Sequence, residues 1–194
     1  MLLIGVTGGV GMGKSTTAGF LAQNGVAVVD TDLLARELVA PGQPALAEIA
    51  SAFGPDVLAA DGALDRGQLA RRVFADEAAR RRLEAILHPR IRAAWLAQAA
   101  AWRTEGRTAG AVIIPLLYET ASEKELGPVI CTACTAATQR SRLKARGWDE
   151  AQIAGRLAAQ WPVEQKLALA DFVAWSEGAL DTHAAQVRRI LGAL

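Results

Sequence analysis

The chain has 194 residues, of which 52% are hydrophobic and 21% charged, a composition typical of a globular protein with one substantial core. Its formal net charge is +1, so it lacks the basic excess that favours nucleic acid or an acidic membrane surface. The longest apolar runs, such as Ala111 to Leu117, are far shorter than the roughly 20 residues that span a bilayer. No basic leader precedes the first apolar run. These features predict a cytoplasmic protein that binds a small molecule.

The hydrophobic pattern alternates short apolar runs with helical stretches, which predicts an α/β fold with a parallel sheet. The predicted strands are Leu2–Thr7, Val26–Asp30, Ala111–Ile114, Val129–Cys134 and Asp171–Trp175. The predicted helices are Lys14–Gln23, Pro44–Phe53, Arg66–Leu87, Pro89–Arg103, Thr138–Arg146, Glu150–Gln160 and one from Thr182 onward. Strands that are apolar throughout are typical of a sheet that helices cover on both faces.

A glycine-rich segment joins the first predicted strand to the first predicted helix. Gly8–Ser15 has the sequence GGVGMGKS, which is the Walker A pattern. In such a loop, successive backbone N–H groups surround a phosphate, and the following helix adds its positive N-terminal end. Lys14 is expected to reach the β- and γ-phosphates, and the Ser15 hydroxyl to bind Mg²⁺. A strand before the motif and a helix after it are the context it requires, so the segment predicts a nucleoside triphosphate site.

Two carboxylates, Asp30 and Asp32, follow the second predicted strand. If the strand continues through both, they share a face and point into the crevice beyond the carboxyl ends of the strands. A carboxylate there can orient or deprotonate an acceptor hydroxyl. The alternative makes Asp32 the N-cap of a helix from Leu33. Since Asn24 is the chain's one asparagine, the NKxD motif of guanine switches is absent, and transfer to an acceptor is favoured.

Arginines cluster between Asp65 and Arg92, where helices are predicted to follow one another without a strand. Eight arginines and no lysine occur in this stretch. A helical insertion in an α/β sheet often forms a lid over the ligand, and arginines bind anionic groups bidentately. The alternative is a solvated face on which the arginines pair with Asp76, Glu77 and Glu84.

The two cysteines, Cys131 and Cys134, form a CxxC within the segment PVICTACT. This segment is predicted to be a buried strand, on which residues three apart point to opposite faces. A zinc site needs two further ligands, and His88 and His183 are the only histidines. The cysteines are therefore interpreted as structural.

Several segments resemble the dephospho-CoA kinase family. In chain order they are TGGVGMGKST, VVDTDLLARELVAPGQPAL, FG, DGALDRGQLARRVF, LEAILHPRIR, IPLLYE and LAAQ. The resemblance implies a P-loop kinase core with a five-stranded parallel sheet and helices on both faces. It implies one domain over 1–194, with a helical substrate-binding insertion at about 60–92 and a lid at about 138–150. The implied reaction uses ATP and Mg²⁺ to phosphorylate the ribose 3′-hydroxyl of dephospho-CoA, giving CoA and ADP in the last step of CoA biosynthesis.

The same resemblance implies roles for individual residues. The catalytic residues would be Asp32, which accepts the hydroxyl proton, Lys14 and Arg142. The residues implied to bind ATP are Gly11, Met12, Gly13, Lys14, Ser15, Thr16 and Arg146. Those implied to bind dephospho-CoA are Thr7, Asp32, Arg36, His88 and Leu116. His88 has an alternative as the N-cap of a helix from Pro89. Arg142 and Arg146, four apart on one helix face, have an alternative as solvated surface residues.

The chain departs from the usual family pattern on the nucleotide-base and lid side, at Gly147, at Trp175–Ser176 and in VICTACT. Trp175 has two interpretations, stacking on the base and packing in the core. Two alternatives remain for the chain as a whole. One is a kinase that acts on another small metabolite, and the other is an ATP-binding regulatory module without transfer.

Overall fold

The structure is a computed structural model that describes the backbone of residues 1–194 and every side chain except those of Phe74 and Ala75. The chain divides into two units, one of Met1–Asp30 with Ala99–Leu194 and the other of Thr31–Gln98. Among the described residues, no helix has the length and apolar character needed to cross a membrane.

The first unit is built on a parallel sheet, which has five strands in the described backbone. These are β1 (Leu2–Thr7), β2 (Ala27–Asp30), β3 (Ala109–Ile113), β4 (Val129–Ala133) and β5 (Phe172–Trp175). Their order is β2-β3-β1-β4-β5, and every pair is parallel. The predicted strands and fold class are confirmed, with strand ends that differ by one or two residues. Because β1 lies between β3 and β4, the glycine-rich loop that follows β1 leaves the sheet near its centre.

The described helices, in chain order, are α1 (Lys14–Gln23), α2 (Thr31–Glu37), α3 (Pro44–Phe53), α4 (Arg66–Ala75), α5 (Glu77–Thr104), α6 (Ala136–Ala145), α7 (Glu150–Ala158), α8 (Val163–Leu169) and α9 (Leu180–Gly192). Single 3₁₀ turns occur at Pro55–Val57 and Ser122–Glu125. The predictions for α1 and α3 are correct at both ends. The predicted division at His88 is wrong, because the chain breaks at Asp76 and α5 continues through Pro89.

The core of the first unit joins the sheet to α1 and α9. It includes Ile4 and Val6 of β1, Ile130 of β4, Leu21 of α1 and Val187 of α9. All five residues of β4 are buried, as expected for a parallel strand covered on both faces. This burial explains why β4 is mainly apolar and does not alternate between apolar and charged residues.

Strand β5 lies at one edge of the sheet. The backbone N–H of Trp175 donates to Oε1 of Gln186 in α9 at 2.9 Å, and its carbonyl accepts from Nε2 of the same residue at 3.0 Å. The Trp175 side chain is 38% exposed, so its interpretation as a core residue is wrong. Its indole N–H donates to Glu177 at 3.0 Å.

The second unit is helical, and its core includes Val39, Ile49, Val57, Leu69 and Ile86. Pro89 lies inside α5, where proline cannot donate a backbone hydrogen bond and its ring crowds the preceding turn. At this point the Arg90 guanidinium donates to the Ile86 carbonyl at 2.6 Å and to Glu48 of α3 at 2.5 Å. A side chain therefore supports the helix at the turn where proline disturbs its backbone ladder.

Several arginines of the second unit pair with carboxylates. Arg81 lies 2.7 Å from Glu77, and Arg80 lies 3.7 Å from both Glu77 and Glu84. These pairs agree with a solvated charged face, although Asp76 instead accepts from the backbone N–H of Ala78 at 2.8 Å. Pairs this exposed contribute about 0–1 kcal/mol each.

Candidate functional site

The loop between β1 and α1 has a backbone that requires glycine at its two ends. Gly8 has φ +138° and Gly13 has φ +95°, values that L side chains rarely adopt. A Cβ atom on Gly8 would lie 2.1 Å from the carbonyl oxygen of Thr132, and one on Gly13 would lie 2.9 Å from Cβ of Ser176. These glycines let the loop pass close to β4 and to the end of β5.

Lys14 is the first residue of α1 and closes the loop on itself. Its ammonium donates to the carbonyl of Gly8 at 2.9 Å and to that of Gly9 at 3.1 Å. The N-cap of α1 is Gly13, which has no side chain to accept from the first turn. A helix start without a side-chain cap, preceded by a glycine-rich turn, is suited to an anion.

A cavity of about 290 Å³ adjoins this loop, close to the lower end of the size range of small-molecule pockets. It is lined by Gly11, Gly13, Thr16, Arg142, Arg146, Ser176, Leu180 and His183. Five of these residues were predicted as catalytic or ATP-binding, so the structure brings the loop and both arginines to one cavity. Ser176 lies where the sequence was found to depart from the family pattern on the nucleotide-base side, whereas Leu180 and His183 were not predicted as site residues.

Arg142 is held in place by Ser176. The guanidinium donates to the Ser176 hydroxyl at 2.8 Å and to its carbonyl at 2.5 Å, and that hydroxyl donates to the Met12 carbonyl at 2.8 Å. The hydrogen bonds therefore run from α6 through the end of β5 to the phosphate loop. Arg142 is half-buried, which contradicts the solvated alternative for this residue. Arg146 is exposed and caps the C-terminal end of α6.

A buried polar chain lies behind the loop. The Thr17 hydroxyl is 2.9 Å from the Thr132 hydroxyl and 2.9 Å from Nε2 of His183. All three residues are buried. Burial, together with the charge of Arg142, lowers the pKa of His183 below its ordinary value, so a neutral imidazole is favoured in this chain.

Thr7 and Lys166 donate to the same acceptor, a carbonyl in the turn after β3. The Pro115 carbonyl accepts from the Thr7 hydroxyl at 3.3 Å and from the Lys166 ammonium at 2.6 Å. Lys166 is fully buried and lies 2.7 Å from Glu119, which also accepts from the backbone N–H of Trp161 at 2.8 Å. The predicted residue Leu116 follows Pro115 in this turn. Sequence reasoning missed Lys166, because its partners lie about fifty residues earlier in the chain.

Asp32, Arg36 and His88 belong to the second unit. Strand β2 ends at Asp30 and α2 begins at Thr31, which places Asp32 in the first turn of α2 and Arg36 in the last. Neither the strand nor the N-cap interpretation of Asp32 is therefore correct. A carboxylate in a first helical turn is favoured by the helix dipole. His88 lies inside α5, so the N-cap alternative for this residue is wrong.

The cysteines have the structural character that was predicted. Cys131 and Cys134 are both free and buried. Burial raises the pKa of the Cys131 thiol to about 11 and also raises that of Cys134. Thiols with raised pKa values hold little thiolate at neutral pH, and the thiolate is the reactive form.

Ser15 is the candidate ligand for Mg²⁺. It is exposed in the first turn of α1, and a hydroxyl oxygen is a donor that Mg²⁺ accepts. Among the side chains that the structure describes, no group of three or more His, Cys, Asp and Glu could hold a metal. Mg²⁺ is commonly bound through one or two protein oxygens together with substrate phosphates, and the residues present fit that mode.

Comparison with known proteins gives the family. A family model for dephospho-CoA kinase matches residues 2–181. The chain belongs to the dephospho-CoA kinase family. Its predicted membership in a family of ATP-using phosphotransferases is confirmed, and the activity of that family is the final step of CoA biosynthesis.

Individual relatives agree with this assignment. A dephospho-CoA kinase of Anaeromyxobacter dehalogenans is 48% identical over all of this chain and 92% of its own length. The structure of a dephospho-CoA kinase from Campylobacter jejuni is 27% identical, with a TM-score of 0.71 over 98% of this chain and 95% of that one. A crystal structure of a Thermus thermophilus protein is 31% identical, with a TM-score of 0.82 over 100% and 97%.

Proposed function

We propose that the chain transfers the γ-phosphoryl group of ATP to the ribose 3′-hydroxyl of dephospho-CoA, with Mg²⁺ bound to the phosphates. The observation that carries this proposal is the cavity in which Gly11, Gly13 and Thr16 of the loop region face Arg142 and Arg146. A phosphate loop opposite two arginines is suited to the charge that spreads over a transferring phosphoryl group. Family membership supplies the acceptor.

In the first unit, the proposed ATP-binding residues are Gly11, Met12, Gly13, Lys14, Ser15, Thr16 and Arg146. Lys14 exchanges its hydrogen bonds to the Gly8 and Gly9 carbonyls for bonds to the phosphates, and Arg142 stabilises charge in the transition state. Ser15 holds Mg²⁺, which neutralises charge on the phosphates when bound. The segment at about 138–150, which contains most of α6, is proposed as the lid.

The proposed acceptor-binding residues are Thr7, Asp32, Arg36, His88 and Leu116, with Asp32 as the general base. Asp32 and Arg36 are four residues apart in α2, and residues at this spacing share a helix face. A carboxylate beside a cation on one face is suited to accept a hydroxyl proton while the cation binds an anionic part of the same substrate. The proposed substrate-binding insertion, about 60–92, lies within the second unit.

The direct test is product formation. The protein is incubated with Mg²⁺, ATP and dephospho-CoA, and CoA and ADP are measured by mass spectrometry. We expect CoA and ADP in equal amounts. ADP without CoA would overturn the proposed acceptor, and bound ATP without either product would indicate a nucleotide-binding module. Parallel reactions with GTP and CTP measure the base preference of a site that has Ser176 and Leu180 in its lining.

Substitution separates the roles of the two proposed catalytic residues. Asp32→Asn is expected to lower turnover by ~10²–10⁴-fold while ATP affinity changes little, because a general base is lost. Lys14→Ala is expected to weaken both ATP binding and transfer, because its charge contacts the phosphates. Glu164→Gln is the matched control and should retain turnover, because Glu164 is an exposed carboxylate in the first turn of a seven-residue helix, as Asp32 is, but lies outside the proposed site. Normal turnover in Asp32→Asn would contradict the assigned base.

A further inference from the structure

We propose that Gln139 and Gln160 are positioning residues for the phosphate loop. They bind the backbone N–H and the carbonyl of Val10 and so fix the loop in the shape that receives the phosphates of ATP. This inference rests on the proposed role of the loop in binding ATP. It concerns residues that contact the loop and are not part of the lining of the adjoining cavity.

The two glutamines bind opposite polar groups of Val10. The side-chain Nε2 of Gln139 donates to the Val10 carbonyl at 2.7 Å, and the backbone N–H of Val10 donates to Oε1 of Gln160 at 3.0 Å. The backbone fixes the orientation of each amide, because a carbonyl accepts only and an N–H donates only. Gln139 must therefore act as a donor, and Gln160 as an acceptor.

These contacts lie where the loop's own sequence constrains its backbone weakly. Val10 stands between Gly9 and Gly11, and glycine on both sides leaves the backbone conformation weakly constrained. Gln139 is only 5% exposed, and its Nε2 would lie 3.0 Å from a Cβ atom on Gly9. A buried amide that fits this closely limits where the Val10 carbonyl can go.

One glutamine lies within the proposed lid at about 138–150, and the other follows the lid in the chain. Gln139 lies in α6, one turn before Arg142, and Gln160 follows the end of α7. The elements that carry and follow the lid are therefore bound to the loop at Val10. A loop held in this way needs less ordering when ATP binds, and such preorganisation increases affinity by lowering the entropic cost of binding.

The opposite roles of the glutamines permit a matched test with the same chemical change at both positions. Gln160→Glu keeps an oxygen acceptor for the Val10 N–H, whereas Gln139→Glu replaces the donor and sets a carboxylate oxygen against the Val10 carbonyl. Both variants add one negative charge beside the same residue. Mg-ATP binding is measured by calorimetry, together with KM and kcat for ATP and for dephospho-CoA.

We expect Gln139→Glu to raise the dissociation constant for Mg-ATP about 10-fold more than Gln160→Glu does, as expected for a lost and reversed buried hydrogen bond. The effect should fall on KM for ATP and spare KM for dephospho-CoA. Equal losses in the two variants would overturn the proposal, because charge alone would then explain them. A larger loss in Gln160→Glu would overturn it as well.

Neutral variants cover the case in which Gln139→Glu does not fold. Gln139→Met and Gln160→Met remove the hydrogen bonds without adding charge, and each should weaken Mg-ATP binding several-fold. In Gln160→Met, hydrogen exchange at the Val10 amide, followed by NMR, should also become faster than in Gln160→Glu. Unchanged ATP affinity in both methionine variants would overturn the inference. Failure of the unsubstituted protein to bind ATP would instead contradict the proposed function.

Discussion

His183 is buried beside the phosphate loop, where its Nε2 lies 2.9 Å from the Thr17 hydroxyl and Phe20 packs edge-on against its ring, with ring centroids 5.3 Å apart. Burial and the nearby Arg142 both disfavour the imidazolium and lower its pKa. Since an unfolded histidine titrates near its ordinary value of about 6.5, folding of this chain releases a proton in weak acid. Stability is therefore linked to pH through this residue.

The sign of that linkage can be tested. The contribution of His183 is fully present above pH about 6.5 and is lost as the pH falls below it, because the unfolded state then binds a proton that the folded state does not. His183→Gln should be less stable than the unsubstituted protein at pH 8, by about 1–3 kcal/mol, and the difference should shrink toward pH 5. Thermal unfolding across this range measures it. The control is His88→Gln, which removes the other histidine and should retain the pH dependence of stability that is due to His183. A loss of stability in His183→Gln that does not change with pH would contradict the argument.

At the scale of elements, sequence pattern was sufficient where an element is long or mainly apolar. The described strands are short, mainly apolar runs, and α1 begins directly after the glycine loop, so both were predictable. Helix α8 was missed, and α2 was predicted only as an alternative that began at Leu33. Each has seven residues, which is too short for a helical period to be distinct. Helix α5 was divided in error because Pro89 normally ends a helix, and the Arg90 contact that supports this turn involves Glu48 of another helix.

Replacing this proline tests whether it costs stability. Pro89→Ala should raise the free energy of unfolding by about 1–3 kcal/mol, because alanine restores a backbone donor and removes the ring from the preceding turn. Since Pro89 follows the proposed substrate residue His88, we also expect a higher KM for dephospho-CoA, because the substitution changes the helix backbone beside that residue. Denaturant unfolding and steady-state kinetics measure the two effects. A fall in stability would mean that the helix packs better with proline than with alanine at this position.

At the scale of the whole molecule, the contacts that complete the site join residues far apart in the chain. Lys166 reaches Pro115 and Glu119, and Ser176 reaches Met12. No local motif marks such residues, because a lysine in a short helix or a serine after a strand is ordinary until its partner is known. The phosphate loop was predictable from its own motif and the two arginines from the family resemblance, whereas these supporting side chains required the fold.

The ion pair of Lys166 and Glu119 joins two distant parts of the chain, and it should contribute measurably to the free energy of unfolding. Lys166→Met leaves a carboxylate that is 13% exposed without its cation, and removing one partner of a buried pair costs about 3–5 kcal/mol. The double variant with Glu119→Gln should recover part of that loss, because no uncompensated charge remains. Lys144→Met is the matched control: its pair with Glu150 has the same length of 2.7 Å but is more than half exposed, so the cost should stay below about 1 kcal/mol. Similar losses in both single variants would show that Lys166 is not held by its pair.

The hydrogen bonds of Gln186 at the edge of the sheet have a consequence for self-association. An exposed edge strand presents backbone groups to which a strand of another chain can add, and this is a common route to aggregation. Strand β5 carries the exposed apolar side chains of Val173 and Trp175, which would favour such addition. Gln186 occupies both backbone groups of Trp175, so an incoming strand would have to displace this amide. The C-terminal helix therefore protects the sheet against fibrillar growth at the place where its edge is most apolar.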